Sequence, residues 1–592
     1  MLLIQVVTQP NEAESISIYN PTSSPIHLNN YYICDDEEYY KMQTEGDLSP
    51  SSWSGGFTAR FPATLIEPFD TLVIVFNENY SNFYGTDFIP DLFLFGSDEF
   101  SMLETEAGSI GFGTNKIGEA SELIILFYWD GYQNSLIKDV DYIIWGSYQN
   151  GINKTGIGDY LPDSAPSDQF INDFDIETYY AFSRTANSEI SEFQSGGNGI
   201  TGHDETSENF QQSWSLTLGC TDPSANNYNI LAKIDDCNCE YSQPRIKLCT
   251  YNLLMFGDAT SNTRIPYFNK IVTELCCDIL AVQEIDNSGG ADLFYDEVIS
   301  QIDQEYIDAP FVNGPWTDNM LYYKAPVEFI STSQIYSSPR HINEYILSVE
   351  NDTFIVYNLH LKAGNEADNE SRRLAAVQEL YNNINNNFPY VVLGDYNIYT
   401  STESSFQYLI NEMELTDPLD LPDWQYNQYA WVHTQSTRSS SGGMDDRFDM
   451  ILVSDGINYL PETYNAFGND GTLYNLSINN TSCAGPDACD TFTQSECEDD
   501  ENCVWKVNHA VRQEIADALY YASDHLPVTL DLIFIDNIQG DINIDGILNI
   551  LDLVILANMV LAEEYIEIAD MNYDGVLNVL DVVTLVNNIL NP

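Results

Sequence analysis

Short apolar runs separated by polar turn formers fill the first third of the chain. Ser15–Tyr19, Thr71–Phe76 and Leu123–Tyr128 are β-branched and aromatic, with Gly, Asn, Asp and Pro between them. Runs of this length predict strands, and their succession predicts an all-β sandwich over residues 1–218. From Arg245 the pattern becomes an alternation of strand and helix. Arg245–Tyr251 predicts a strand closed by Asn252. Phe268, Ile271, Val272 and Leu275 recur at i, i+3, i+4 and i+7, which predicts a helix with one buried face. Asp278–Gln283 predicts a buried strand ending in Glu284, and Thr353–Leu359 leads into His360. A helix with Leu374, Val377 and Tyr381 on one face follows. Tyr390–Leu393, bounded by Pro389 and Gly394, predicts a buried strand with Asp395 and Asn397 at its mouth. Arg447–Val453 then offers Asp449, and Ser523–Val528 offers Asp524 and His525.

The polar strand-end residues are therefore Asn252, Glu284, His360, Asp395, Asn397, Asp449, Asp524 and His525. Each alone reads equally well as a turn residue, a cap or a satisfied core histidine. Several carboxylates at one mouth repel each other unless a divalent cation joins them. Oxygen ligands point to Mg²⁺, Mn²⁺ or Ca²⁺ rather than a soft metal. Two histidines beside carboxylates add proton-transfer capacity near neutral pH. Such a set suits attack of water on a phosphate ester.

The formal net charge of −71 excludes a basic protein that coats nucleic acid, and it suits a soluble protein in salty surroundings. Of the 20 basic residues, 13 lie between Arg245 and Arg512, so an anion is met in that region. No apolar run reaches membrane-spanning length. Met1–Val7 is too short and too uncharged for a signal peptide and reads as a first strand, of a mature or truncated chain. Cys483, Cys489, Cys497 and Cys503 crowd one Asp-rich loop. They read as two disulfides of unspecified pairing, in an oxidising compartment, with a zinc site as the alternative. Adjacent Cys276 and Cys277 read as plain thiols.

Six motifs occur in order: Thr250–Leu254, Val282–Glu284, Asn358–Lys362, Gly394–Asn397, Asp446–Asp449 and Ser523–Pro527. Together they resemble the endonuclease/exonuclease/phosphatase family over residues 244–535. The resemblance implies a four-layer, DNase I-like α/β sandwich. It implies Glu284 as metal ligand (Mg²⁺ or Mn²⁺), with Asn252 and Asp524 assisting, and Asp395 aligning or deprotonating water. It further implies Asn397 on phosphate, His525 held by Asp449, and His360 steadying the phosphate. Arg372, Arg373 and Arg438 are the candidate phosphate contacts. The Cys-rich loop, about residues 476–508, is an insertion relative to that family.

Ile18–Pro21, Leu28 and Trp214–Leu216 resemble a lamin-tail domain, which implies an immunoglobulin-like sandwich; another β-sandwich is the alternative. Residues 219–243 resemble a small disulfide-pinned module that links domains of secreted bacterial proteins. At the end, Asp541, Asn543, Asp545, Asn549 and Asp552 recur as Asp570, Asn572, Asp574, Asn578 and Asp581, each set built around a turn glycine. Oxygen ligands at this spacing, each followed by an apolar helix, form a Ca²⁺ loop. Residues 537–592 resemble a type I dockerin, a small all-α calcium-binding domain, which implies a cohesin-like or cell-surface partner. Ile550–Leu551 and Val579–Leu580 stand where polar recognition residues are expected, and internal packing is their alternative role. The expectation is an extracellular or surface-associated nuclease. The alternatives are a phospholipid or small-molecule phosphoesterase of the same fold, or a non-catalytic calcium-dependent scaffold protein.

Overall fold

A computed structural model describes residues 1–44, 56–97, 99–111, 116–118, 120–169, 181–188, 196–232, 234–257, 261–302, 305–350, 352–484, 489, 497, 503–534, 539–543, 548–562 and 565–590. The chain divides into two compact units, Met1–Glu240 and Tyr241–Pro592.

The first unit is built on two sheets. One runs, in spatial order, Trp214–Leu216, Ala181–Arg184, Leu2–Val7, Ser15–Tyr19, Thr71–Val75 and Leu92–Phe93. The other runs Lys138–Trp145, Glu122–Tyr128, Tyr31–Cys34, Thr58–Arg60 and Leu103–Glu104. Ile16, Ile18 and Ile74 of the first share one apolar core with Ile33, Leu126 and Tyr142 of the second. Met1–Val7 does supply a strand, and Cys220–Cys239 pins the segment after the sandwich.

Among the described residues of the second unit, eleven strands form two large sheets, beside a short ribbon of Ser482–Ala484 and Val504–Lys506: β1 (Arg245–Phe256), β2 (Ile279–Ile285), β3 (Ile307–Asp308), β4 (Asp318–Tyr323), β5 (Val327–Ile335), β6 (Ile342–Val349), β7 (Asp352–His360), β8 (Tyr390–Asp395), β9 (Asp449–Val453), β10 (Asn458–Ala466) and β11 (Val528–Ile533). One sheet has the order β3-β4-β2-β1-β11-β10, the other β5-β6-β7-β8-β9. Period-2 alternation gives strands β1, β2, β7, β8 and β9 two buried faces. Leu248, Ala281, Val356, Val391 and Ile451 meet between the sheets. Outside the first sheet pack α1 (Ser261–Leu275) and a helix at Gln513–Ala522. Outside the second pack α2 (Ala367–Asn383) and α3 (Ser404–Asn411). The layers are helix, sheet, sheet, helix. Among the described residues no helix is long and apolar enough to cross a membrane.

Two expectations change. The buried face of α2 is Arg373, Ala376, Val377 and Leu380, whereas Tyr381 is exposed, because a paired arginine takes an inward position. Cys276 and Cys277 are not thiols. Cys277, just past α1, pairs with Cys249 on the helix-facing side of β1, and Cys276 is also disulfide-bonded. In the Cys-rich loop the two expected disulfides form, Cys483 with Cys497 and Cys489 with Cys503. Much of that loop lies outside the described residues.

Near the end of the chain, two helices (Ile550–Ala562 and Val579–Leu590) share a small core of Ile542, Leu556, Met559, Ala569, Met571 and Leu585. Ile550, Leu551, Val579 and Leu580 are exposed, so internal packing is not their role. Asp552 accepts from the backbone N–H groups of Ile542, Asn543 and Asn549, and Asp581 from that of Asn578. Asp570 accepts from Asp574 and Gly575, and the Asn572 amide donates to Asp574. Asp541 is buried and Asp545 lies outside the described residues.

Candidate active site

Strand alternation that builds the core also builds the site. Asn252 on β1 has the parity of Ile246 and Leu248, which face the opposite sheet. His360 on β7, Asp395 on β8 and Asp449 on β9 likewise have the parity of the core residues Val356, Val391 and Ile451. The pairing His360↔Asp395 and Asp395↔Asp449 then sets three polar groups side by side at one end of the sheet. Glu284 has the wrong parity for this row, since its neighbours at 280 and 282 pack on the helix layer. The backbone turns left-handed there (φ +63°) and the β2 register shifts before Ile285. Such a conformation is unfavourable for Glu and persists where the surroundings enforce it. It brings Glu284 Oε1 to 3.7 Å from His360 Nε2, while Oε2 accepts from the Met255 N–H at 2.9 Å. Gly394 is required: a Cβ there would lie 2.0 Å from the Leu359 carbonyl oxygen.

Asp395 is the hub. Its Oδ1 accepts from the backbone and side-chain amides of Asn397 at 2.9 and 2.8 Å, and its Oδ2 from the Asn252 amide at 3.0 Å. His360 Nε2 lies 3.3 Å and His525 Nε2 3.8 Å from that Oδ2. His525 Nδ1 is 2.7 Å from Asp449 Oδ2, and the Asp449 N–H is held by Thr434. The Gln435 amide nitrogen lies 2.8 Å from His525 Nε2 and 3.4 Å from Asp524 Oδ2. Asn358 bridges the sheets, donating to the carbonyls of Val282 and Met320 and accepting from Gln283.

Burial in this mouth disfavours charge, and the neighbours decide the outcome. For Asp395, burial is the largest influence; His525 opposes it and Asp449 and Glu284 add to it, leaving the carboxyl pushed up to about 7. Burial also pushes the His525 imidazole down, but Asp449, Asp395 and Asp524 overcome it and hold the ring well above its ordinary value. His360 goes well below, through burial and then the charges of Arg340, His525 and Lys362. Two histidines at one mouth therefore take opposite roles: one favours carrying a proton, the other stays neutral.

Residues 249–525 match the model of the endonuclease/exonuclease/phosphatase family. No curated protein sequence matches the chain. Among solved structures it is similar to an endonuclease/exonuclease/phosphatase family protein from Bacteroides thetaiotaomicron, at 14% identity and a TM-score of 0.32, over 50% of this chain and 99% of that one. It is also similar to a mannosyl-6-phosphatase from the same organism (15% identity, TM-score 0.32, 49% of this chain and 100% of that one). The catalytic domain of human Nocturnin, solved with bound sulfate, is similar at 14% identity and a TM-score of 0.32, over 49% of this chain and 96% of that one.

All eight strand-end residues gather in this α/β domain, with surroundings that differ in detail from those expected. Asn397 turns its amide onto Asp395 and the Leu361 carbonyl, so it orients the hub instead of presenting donors to phosphate. Asn252 is likewise spent, its Oδ1 on the Leu254 N–H and its amide on Asp395. Ligand atoms of Asp395, Asp449 and His525 lie within 4.8 Å of one another. Among the described residues, buried oxygens of Asp449 (Oδ1) and Asp524 (Oδ1) have no hydrogen-bond partner, and such oxygens are hard donors of the kind a divalent cation takes.

Arg373 is not a phosphate contact. It is buried, bidentate to Glu403 at 2.6 and 2.8 Å, and donates to the carbonyls of Lys362 and Gly364. Arg372 is exposed and paired with Asp368. Arg438 donates to the Tyr520 carbonyl beside the segment that carries Asp524. Two residues were missed: Gln435 and Arg340. Arg340 donates to Thr317 and to the Leu361 carbonyl next to His360. No local pattern marks it, since only the fold brings residue 340 to the mouth.

Proposed function

We propose that the chain is a secreted, divalent-cation-dependent phosphodiesterase that hydrolyses nucleic acid, its α/β domain carrying the reaction. One observation carries this reading: Asp395, held by three hydrogen bonds, sits between His360 and a His525 anchored on Asp449. Glu284 and Asp524 would hold Mg²⁺ or Mn²⁺, which supplies positive charge for a bound phosphate. Asp395 is poised to take a proton from water, because its carboxyl is pushed up to about 7. His525 can carry a proton at Nε2 toward the oxygens of the phosphate or leaving group once the Gln435 amide turns its oxygen, in place of its nitrogen, toward the ring. His360 and Arg340 fix the anion.

Secretion is supported by the disulfides Cys220–Cys239, Cys249–Cys277, Cys483–Cys497 and Cys489–Cys503. A lamin-tail identity for the first sandwich and a dockerin identity for the last helices belong to the same proposal. The repeated Asp and Asn positions support Ca²⁺ there, and the exposed Ile550, Leu551, Val579 and Leu580 support a protein partner. The test is degradation of plasmid DNA, single-stranded DNA and RNA with Mg²⁺, Mn²⁺, Ca²⁺ or EDTA, beside His525→Ala. Cleavage that requires the cation and is lost in the variant is expected. Survival of all three substrates in every cation would refute the nuclease reading and turn the search to phospholipids and sugar phosphates.

A further inference from the structure

Trp316 is 81% exposed on a left-handed backbone (φ +72°), an expensive way to hold a large apolar ring. Its place is not arbitrary. Asp318, two residues on, begins β4 opposite Ile285, the residue after Glu284. Thr317, between them, accepts from Arg340 Nε at 3.0 Å, and Arg340 Nη1 reaches the carbonyl beside His360 at 3.2 Å. The Trp316 loop is thus tied through one arginine to the catalytic mouth.

A second exposed ring stands on the same rim. Tyr336 is 77% exposed and meets His341 edge-on, with ring centres 4.7 Å apart. His341 Nδ1 lies 3.1 Å from Gln334, whose amide donates to the Val312 carbonyl of the Trp316 loop. Beyond Tyr336 a hollow of about 340 Å³ is bordered by Arg372. Exposed aromatic faces interleaved with guanidinium groups are the surface on which unpaired bases stack while their phosphates are held. A paired base is already stacked inside its duplex and cannot use such a ring. With a net charge of −71, the chain has little general attraction for a duplex backbone, so affinity has to come from contacts of this kind.

We propose that Trp316 and Tyr336 form a stacking subsite for unpaired nucleobases flanking the scissile phosphate, with Arg340 holding the phosphate between rim and mouth. The proposal rests on the nucleic-acid reading of the site and narrows the substrate to single strands.

The test measures binding apart from turnover. Fluorescence anisotropy in EDTA compares a labelled twelve-residue oligothymidylate with a twelve-residue abasic phosphodiester of equal charge, on the full chain. The expected result is binding of the thymidylate about tenfold tighter or more, an advantage that added salt leaves largely intact. Trp316→Ala should abolish most of that advantage without changing abasic binding, and Trp316→Phe should retain most of it. Equal binding of the two oligomers by the wild type, or an equal loss for both in Trp316→Ala, would overturn the subsite. A base advantage without cleavage in any cation would instead refute the nuclease reading and leave the subsite standing.

Discussion

Asp449→Asn separates two roles that the geometry allows for one carboxylate. Asp449 Oδ2 orients His525 through a 2.7 Å contact, while Oδ1 is buried without a hydrogen-bond partner and is free to face a cation. The amide is isosteric and can still accept from Nδ1–H, so the ring keeps its place, but the charge that favours protonated His525 is gone. A full charge a few ångströms away in a partly buried site is worth about 4 kcal/mol at an effective dielectric of 20. Not all of it reaches the transition state. A fall in kcat of about 10²- to 10⁴-fold is expected, the range of positioned acid–base groups. The assay is single-turnover cleavage of a single-stranded oligonucleotide by wild type, Asp449→Asn, His525→Ala and the double variant. If Asp449 acts through His525, the double variant is no slower than His525→Ala alone. Multiplying losses would refute this reasoning and place Asp449 on the cation instead. Unfolding is an internal control. Asp449 stabilises protonated His525 and also pushes the Asp395 carboxyl up, so its removal loses an ion pair while relieving some repulsion, and the folded variant should melt only moderately below wild type.

Glu403→Ala leaves the buried Arg373 guanidinium without its bidentate partner, and urea unfolding should show a loss of about 3–5 kcal/mol; a loss under 1 kcal/mol would mean the pair is replaceable by water. Acid sensitivity should reside partly in Asp417. Burial pushes this carboxyl up, but Arg447, bound at 2.7 and 2.9 Å, outweighs it and holds the folded value below the ordinary one. A depressed carboxylate stabilises the fold above its unfolded pKa of about 4 and loses that contribution as pH falls through the folded value. The acid limb of the stability curve should therefore flatten in Asp417→Asn, and parallel curves for the two proteins would rule the pair out. Removal of Ca²⁺ by EGTA should lower the unfolding temperature of the C-terminal helices, reversed by added Ca²⁺ and abolished in Asp541→Ala with Asp570→Ala; calorimetry unchanged by chelator would exclude calcium there.

What the sequence showed of this molecule follows one physical rule. Wherever a site residue continues the alternation of its strand, as Asn252, His360, Asp395 and Asp449 do, the pattern that marks the core also marks the site. Glu284 breaks that rule, and only its motif and the observed left-handed backbone account for it. Arg373 misled for the opposite reason. A helix arginine among acidic neighbours looks like a surface cation, yet its partner Glu403 is thirty residues away and draws it inside. The same long-range pairing explains the shifted face of α2, since apolar periodicity carries no information about a buried ion pair. Arg340 and Gln435 were invisible because nothing local distinguishes an arginine or glutamine at a mouth from one in solvent. The disulfide from Cys249 to Cys277 belongs to this class too: it depends on α1 folding back along β1, a contact between residues whose own segments predict only a strand and a helix end. Strand parity therefore locates the catalytic row, while the cations and amides that tune it are set by tertiary pairing. Variants of Arg340 and Gln435 are thus where substrate preference should change without loss of the fold.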